Sequence, residues 1–330
     1  MGATSARVGL LVLAGWLIGA LGVPAAQAPA PGTAAPADKR PTTAAPATKP
    51  STDQPPEESP LPGLLEGLAP EVAERIAIVA DVVKPDAKRA EARNELVSDQ
   101  KLLDKGSIEA LIALGKIADK LPVPDEDEDR DNVRMHVAIA LSQIRSRPRA
   151  DKVVENYPML QAWLDGETTD AALRHWAALA VANTRTEQAL KILDPILKGP
   201  VDGQAITCKA VAKAIGAWRG KYRDMALPVL LDMIASEKPA VRIAGIEGLA
   251  AGGVNAPKTI RPLAKIASDD PEEPVWRAAE RVLNELTRKM QMRRLIIRAG
   301  ATDEVRKEAV RVWLFIWERE MKKRQEEKKG

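Results

Sequence analysis

The side chains able to carry chemistry fall into three groups. The first is an acidic run, Asp125-Glu126-Asp127-Glu128-Asp129-Arg130-Asp131. A calcium loop of the EF-hand kind starting at Asp125 needs Gly at its sixth place and Glu at its twelfth; the chain supplies Arg130 and His136 there. The register fails. The run reads better as an interhelical loop whose carboxylates precede a helix N-terminus, where negative charge is favoured. The second group is His136, His175 and the single cysteine, Cys208. Two imidazoles and one thiol do not make up a transition-metal ligand set. No Gly-rich phosphate loop follows a strand, and no Ser or Cys nucleophile has a recognisable base beside it. The expectation is a protein without metal or cofactor that is not an enzyme.

The third group is a set of basic pairs spaced i, i+4: Lys209 with Lys213, Arg277 with Arg281, and Lys307 with Arg311. Where the spacing would place a further pair, the chain has Ile243 and Glu247. On a helix, i and i+4 share a face. The pairs can therefore line a stripe that meets an acidic partner or a polyanion, or form a plain solvated face.

The elements that must carry these pairs are written in a repeat. Leu173, Thr207, Val241 and Val275 follow one another at steps of 34 residues, with Val133 before and Val305 after. Counted from each opener, offset 4 is Val137, Ala177, Val211, Gly245, Ala279 or Ala309. Offset 7 is Ala140, Ala180, Ala214, Gly248, Val282 or Val312, and offset 8 is Leu141, Val181, Ile215, Leu249, Leu283 or Trp313. Offsets 0, 4, 7, 8 and 11 are one face of an α-helix, with small residues that let a neighbouring helix approach. The basic pairs stand at offsets 2 and 6, the opposite face, and Glu247 is read as exposed there. A preceding helix carries a recurrent proline, at Pro158, Pro195, Pro228 and Pro262, placed either in the first turn or at a fixed kink. Asp131 and Asp303 stand where a carboxylate would cap a helix N-terminus. A helix pair repeated at this period cannot bury its apolar face alone and stacks into a solenoid.

The stretch Leu227-Pro228-Val229-Leu230-Leu231 leading into Pro239-Ala240-Val241-Arg242 and Gly248-Leu249 resembles a HEAT repeat of the short, bacterial, bilin-lyase-like type. The resemblance covers roughly residues 108–319. It implies an all-α α-solenoid of about six HEAT-like helix pairs, with the second helices lining the concave face. It also implies an inter-repeat ladder from an Asp before the second helix to an Arg just inside it. Arg134, Arg174, Arg242 and Arg306 meet the Arg position, whereas Cys208 and Trp276 depart from it. Some HEAT-like enzymes are iron hydroxylases with His-Glu ligand pairs, and this chain has no such pair.

The remainder of the chain sets the context. Residues 1–25 read as an export signal: Arg7, then an uncharged run from Val8 to Val23, then Pro24, with cleavage near Ala26. An uncleaved anchor over residues 8–23 is the alternative, although that run is shorter than the ~20 residues a spanning helix needs. Residues 26–62 form a Pro/Ala-rich linker with too little apolar surface to order itself; between Pro24 and Pro62 the chain has 11 Pro and 10 Ala. Residues 63–107 are read as a helical cap, 108–321 as the repeats, and 322–330 as a charged tail that frays. Net charge is +3, unevenly placed: residues 63–200 hold 19 Lys and Arg against 24 Asp and Glu, and residues 201–330 hold 26 against 18. Trp218 and Trp313 fall on the seam and read as core; Trp176 and Trp276 can flank a groove. Cys208 reads as a small buried side chain without a disulfide partner in the chain. The functional expectation is an exported scaffold, periplasmic or extracellular, that holds another protein or peptide. A polyanion binder using Arg288, Lys289, Arg293, Arg294 and Arg298 with the basic pairs is the alternative, and an enzyme comes third. Export places chromosomal DNA out of reach.

Overall fold

The computed structural model describes residues 60–121, 133–144, 147–166, 170–199, 204–252, 257–288, 292 and 294–327. Among them every regular element is helical. The expected signal, nearly all of the linker, and the acidic run with Asp131 lie outside the described residues. Pro60 and residues 61–62 do not: the first helix already spans Leu61–Glu66, so the expected linker boundary falls inside a helix. No helix among the described residues is long and apolar enough to cross a membrane.

The chain starts with α1 (Leu61–Glu66), α2 (Pro70–Ala80), α3 (Asp86–Ser98), α4 (Gln100–Asp104) and α5 (Ser107–Ile117). Then come α6 (Val133–Ser142), α7 (Arg147–Val154) and α8 (Tyr157–Asp165). The regular repeats follow: α9 (Ala171–Asn183) as the second helix after α8, then the first and second helices α10 (Glu187–Lys198) with α11 (Ala205–Gly216) and α12 (Lys221–Ile234) with α13 (Pro239–Ala251), and then the first helix α14 (Pro257–Asp269). The last two helices are α15 (Glu273–Arg288) and α16 (Asp303–Glu327). Helices α9, α11, α13 and α15 start 34 residues apart, as the apolar pattern requires.

Two rows result. Helices α3, α6, α9, α11, α13 and α15 pack successively on one another, whereas α10 and α12 in the other row touch lightly. The close-packed row is that of the second helices, the row that the HEAT resemblance places on the inner side. The openers Val133, Leu173, Thr207, Val241 and Val275 are all buried, as are the offset-8 residues from Leu141 to Leu283. Trp218 and Trp313 are core, as the seam position requires, and so is Trp276, which the groove reading had left open. The recurrent proline takes both of its allowed places: Pro158 sits in the first turn of α8, while Pro195, Pro228 and Pro262 lie inside α10, α12 and α14.

The tightest contact is between α11 and α13. A Cβ added to Gly248 would lie 2.5 Å from Leu230 Cδ2 and 2.7 Å from the carbonyl oxygen of Ala212. Only glycine permits that approach. Ala212 and Gly216, at offsets 5 and 9 of α11, are therefore the face that receives the next second helix.

At the equivalent positions α15 carries Glu280 and Asn284, and no second helix follows. Residues 294–298 run extended along α15 instead. Asn284 donates to the Leu295 carbonyl and accepts from the Leu295 amide, both at 2.8 Å, and the Ile297 amide donates to Glu280 at 2.8 Å. Leu295 and Ile297 are buried while Ile296 between them is exposed. The chain thus closes the row with backbone in place of a helix.

That ending corrects the reading of the last repeat. Helix α16 packs on α14, in the first-helix row. Its buried residues are Arg306, Val310, Trp313 and Trp317, so the buried stripe is rotated away from Val305 and Val312, which are exposed. Asp303 does not cap the helix: Thr302 Oγ1 accepts from the Val305 amide, and Asp303 pairs with Arg306 at 2.6 Å. Residues 322–327, expected to fray, continue α16 as helix.

Candidate functional site

The basic residues of α11 and α15 meet on a single carboxylate of α13. Glu247 lies between the two helices with its side chain 7% exposed, covered because α11 is pressed against α13 on one side and α15 packs on the other. Lys213 Nζ is 3.2 Å from one carboxylate oxygen, Lys209 Nζ is 3.5 Å from the other, and Arg281 donates to that second oxygen. The cations themselves stay half out in water, at 46% for Lys209, 48% for Lys213 and 57% for Arg281. Burial alone would raise the Glu247 carboxyl; hydrogen bonds and charge from Arg281 and Lys213 outweigh it and hold the group below the usual carboxylate range.

This overturns the reading of Glu247 as an exposed interruption of the stripe. It joins the basic residues. Three cations around one carboxylate leave two positive charges uncompensated within the cluster, directed outward.

The other three candidates do not join the cluster. Arg277 is committed: it lies 3.3 Å from Glu273, 3.0 Å from Glu280, donates to the Ile297 carbonyl, and stacks on Trp276 at 4.1 Å from the ring centre. Lys307 and Arg311 belong to α16 in the other row, and Arg311 forms a bidentate pair with Glu308 at 2.8 and 2.9 Å. The stripe is therefore shorter than expected and confined to α11, α13 and α15.

Of the ladder implied by the resemblance, the rung between Arg242 and Asp270 is present, while Arg174 and Arg306 reach backbone carbonyls instead. Arg242 at the start of α13 meets Asp270, just before α15, at 2.8 and 3.0 Å, and donates to the carbonyls of Ser236 and Glu237. Asp270 in turn accepts from the Glu272 amide, so one carboxylate ties two repeats and starts a helix. Arg306 reaches the Asp270 carbonyl at 2.8 Å and Arg174 donates to the Gly166 carbonyl. At the departing positions, Cys208 is fully buried, which pushes its thiol up to about 11, and Trp276 is buried beneath Arg277 and Arg306. Such a thiol is inert at neutral pH.

Both histidines serve structure. His136 is buried, 3.0 Å from Asp86 and 3.3 Å from Arg93, which joins α6 to α3. His175 contacts Thr207 Oγ1 at 3.2 Å, joining α9 to α11, and burial lowers its pKa. Among the described residues no group of His, Cys, Asp and Glu is arranged to hold a metal ion.

Residues 202–284 match the family model for HEAT repeats, a span from α11 into α15 that includes the whole cluster. Residues 202–284 are thus a HEAT-repeat segment within the two-row helical architecture described above. No curated protein sequence matches it. Among solved structures, it is similar to a designed armadillo repeat protein in complex with the peptide (KR)4, at 17% identity and a TM-score of 0.39, covering 64% of this chain and 99% of that one. A second designed armadillo repeat protein matches at 18% identity and a TM-score of 0.37, with coverage of 64% and 99%. Human deoxyhypusine hydroxylase in complex with glycerol matches at 17% identity and a TM-score of 0.31, covering 79% of this chain and 99% of that one.

Proposed function

We propose that the protein is an exported scaffold that holds an acidic segment of another protein on its second-helix row, with Lys209, Lys213 and Arg281 as the contact. The observation that carries this reading is the convergence of three half-exposed cations on one buried carboxylate. Glu247 holds the three heads together at the surface of adjacent helices. The excess positive charge then faces the solvent from a rigid frame, so little ordering is lost when an acidic chain is bound. The proposed chemistry is binding: among the described residues no nucleophile or general acid stands beside the cluster. Export rests on the leader pattern of residues 1–25.

The test is a titration with a fluorescent oligoglutamate peptide at low salt. Glu247→Gln removes the negative centre and should tighten binding, while Arg281→Gln in that background should weaken it. Peptide affinity unchanged by both substitutions would refute the reading. A duplex oligonucleotide run in parallel tests the polyanion alternative, which draws on the exposed Arg288 at the end of α15 and Arg294 and Arg298 after it, with Lys289 and Arg293 outside the described residues. Preference for the duplex with a steep salt dependence would favour that alternative.

A further inference from the structure

The segment that closes the inner row is held by one edge and leaves the other open. In an extended chain, successive residues direct their backbone N–H and C=O to opposite edges and their side chains to opposite faces. Leu295 and Ile297 commit their edge to α15. The Leu295 amide and carbonyl bond to Asn284, the Ile297 amide donates to Glu280, and the Ile297 carbonyl accepts from Arg277. Ile296 between them faces the other way and is 73% exposed. Its N–H and C=O have no hydrogen-bond partner among the described residues, and neither do the Arg294 carbonyl and the Arg298 amide on the same edge. An open edge of this kind is a template for a further strand.

The side chains along that edge identify what fits it. Leu295 and Ile297 are buried, so Arg294, Ile296 and Arg298 share the outer face and read base, apolar, base. Both arginines are exposed and have no ion pair among the described residues. The neighbouring carboxylates are engaged elsewhere: Glu280 holds Arg277 and the Ile297 amide, and Asp303 pairs with Arg306. From Glu285 to Arg298 the sequence has one carboxylate, Glu285 itself, against five lysines and arginines. A second copy of the segment is disfavoured by the same pattern. Pairing Ile296 with Ile296, parallel or antiparallel, sets arginine against arginine at both ends. A strand reading acid, apolar, acid at alternate positions sets a carboxylate beside each arginine in either direction. We propose that residues 294–298 take up an extended acidic segment of another protein by strand addition, with carboxylates at alternate positions around an apolar centre. This site is separate from the cluster centred on Glu247 and does not rest on it.

The probe is a fluorescein-labelled peptide, Glu-Thr-Val-Thr-Glu, titrated into the full chain and followed by anisotropy. Ile296→Pro removes the open N–H and should weaken binding at least about tenfold, the scale of a lost hydrogen bond in the ladder. Helical circular dichroism should be unchanged, since no described residue uses that N–H. Ile296→Val should keep the affinity within about twofold. Arg294→Gln with Arg298→Gln should weaken it about threefold or more, through two lost cross-strand ion pairs, and the peptide Lys-Thr-Val-Thr-Lys should not bind. In the wild-type chain the Ile296 amide should exchange more slowly once the probe is saturating, a readout that needs no variant. The tightening of oligoglutamate by Glu247→Gln should survive in the Ile296→Pro background, so the two sites stand or fall separately. Probe affinity indifferent to Ile296→Pro, or an Ile296 amide still exchanging freely at saturation, would overturn the proposal. So would a probe that does not bind at millimolar concentration; the arginines would then only guard the edge against pairing with itself.

Discussion

Gly216 of α11 and Gly248 of α13 meet backbone to backbone: a Cβ built on Gly216 would fall onto the peptide of Gly248, 2.7 Å from its carbonyl carbon. This contact sets the separation of the two helices and so determines whether lysines on α11 can reach a carboxylate on α13. Without it, Lys209 and Lys213 would be ordinary solvated side chains. The site depends on a packing feature one helical turn away from it.

Gly216→Ala should therefore be costly although alanine is the better helix former. Forcing α11 and α13 apart should destabilise the protein by about 1–3 kcal/mol, the usual range for overpacking. Gly67, whose added Cβ would meet nothing within 4 Å, is the control. Gly67→Ala should stay within about 0.5 kcal/mol. Urea melts of the two variants check the contrast, and equal effects would remove the close-packing argument.

The repeat itself was legible because its cause is periodic: small and large residues at fixed offsets can only mean stacked helices. The Arg242–Asp270 rung was likewise legible from residue type and place. Glu247 was misread because exposure was judged from one helix alone. Its column across repeats, Lys213, Glu247 and Arg281 at steps of 34, alternates in sign and could have been read as a ladder of ion pairs. The end of the row was also misread. Val305 opens a valid repeat pattern, but the preceding helix has Glu280 and Asn284 where a neighbour requires small apolar residues. Pattern within a helix gives its faces; only the receiving surface decides which face is used.

Leu249 and Glu247 separate the packing from the electrostatic contribution. Leu249 is 1% exposed, and Leu249→Ala should cost about 2–5 kcal/mol through the cavity it leaves. Glu247→Ala, on the sequence reading a surface change, should cost about 1–3 kcal/mol because charged hydrogen bonds are lost. A Glu247→Ala effect indistinguishable from zero in urea melts would return the residue to the solvated face.

Asn284 and Glu280 hold the segment that closes the inner row. Asn284→Ala leaves the Leu295 amide and carbonyl without their partner at a buried position and should cost about 1–3 kcal/mol. Amide exchange at Leu295 and Ile297 should accelerate well before exchange in α11 or α13. Uniform acceleration across the row would mean that the segment is not a separate closure.

Acid stability is the sharpest test of the cluster. The folded Glu247 carboxyl lies below its unfolded value, so it binds its proton later in the native state than in the unfolded chain. Its contribution is present in full above the unfolded value, about pH 4.3, and is lost as pH falls through the folded one. Glu247→Gln should lack that part of the acid limb. Arg281→Glu should act in the opposite sense: a second carboxylate beside a buried one raises the folded value, since like charges resist ionising together. That substitution favours the protonated form, so its penalty should be small in acid and grow as pH rises. The stability gap between wild type and Arg281→Glu should therefore widen steadily from about pH 3 to about pH 6, followed by urea melts at each pH. A gap independent of pH would mean that Arg281 and Glu247 do not sense each other, and the cluster would be no more than proximity.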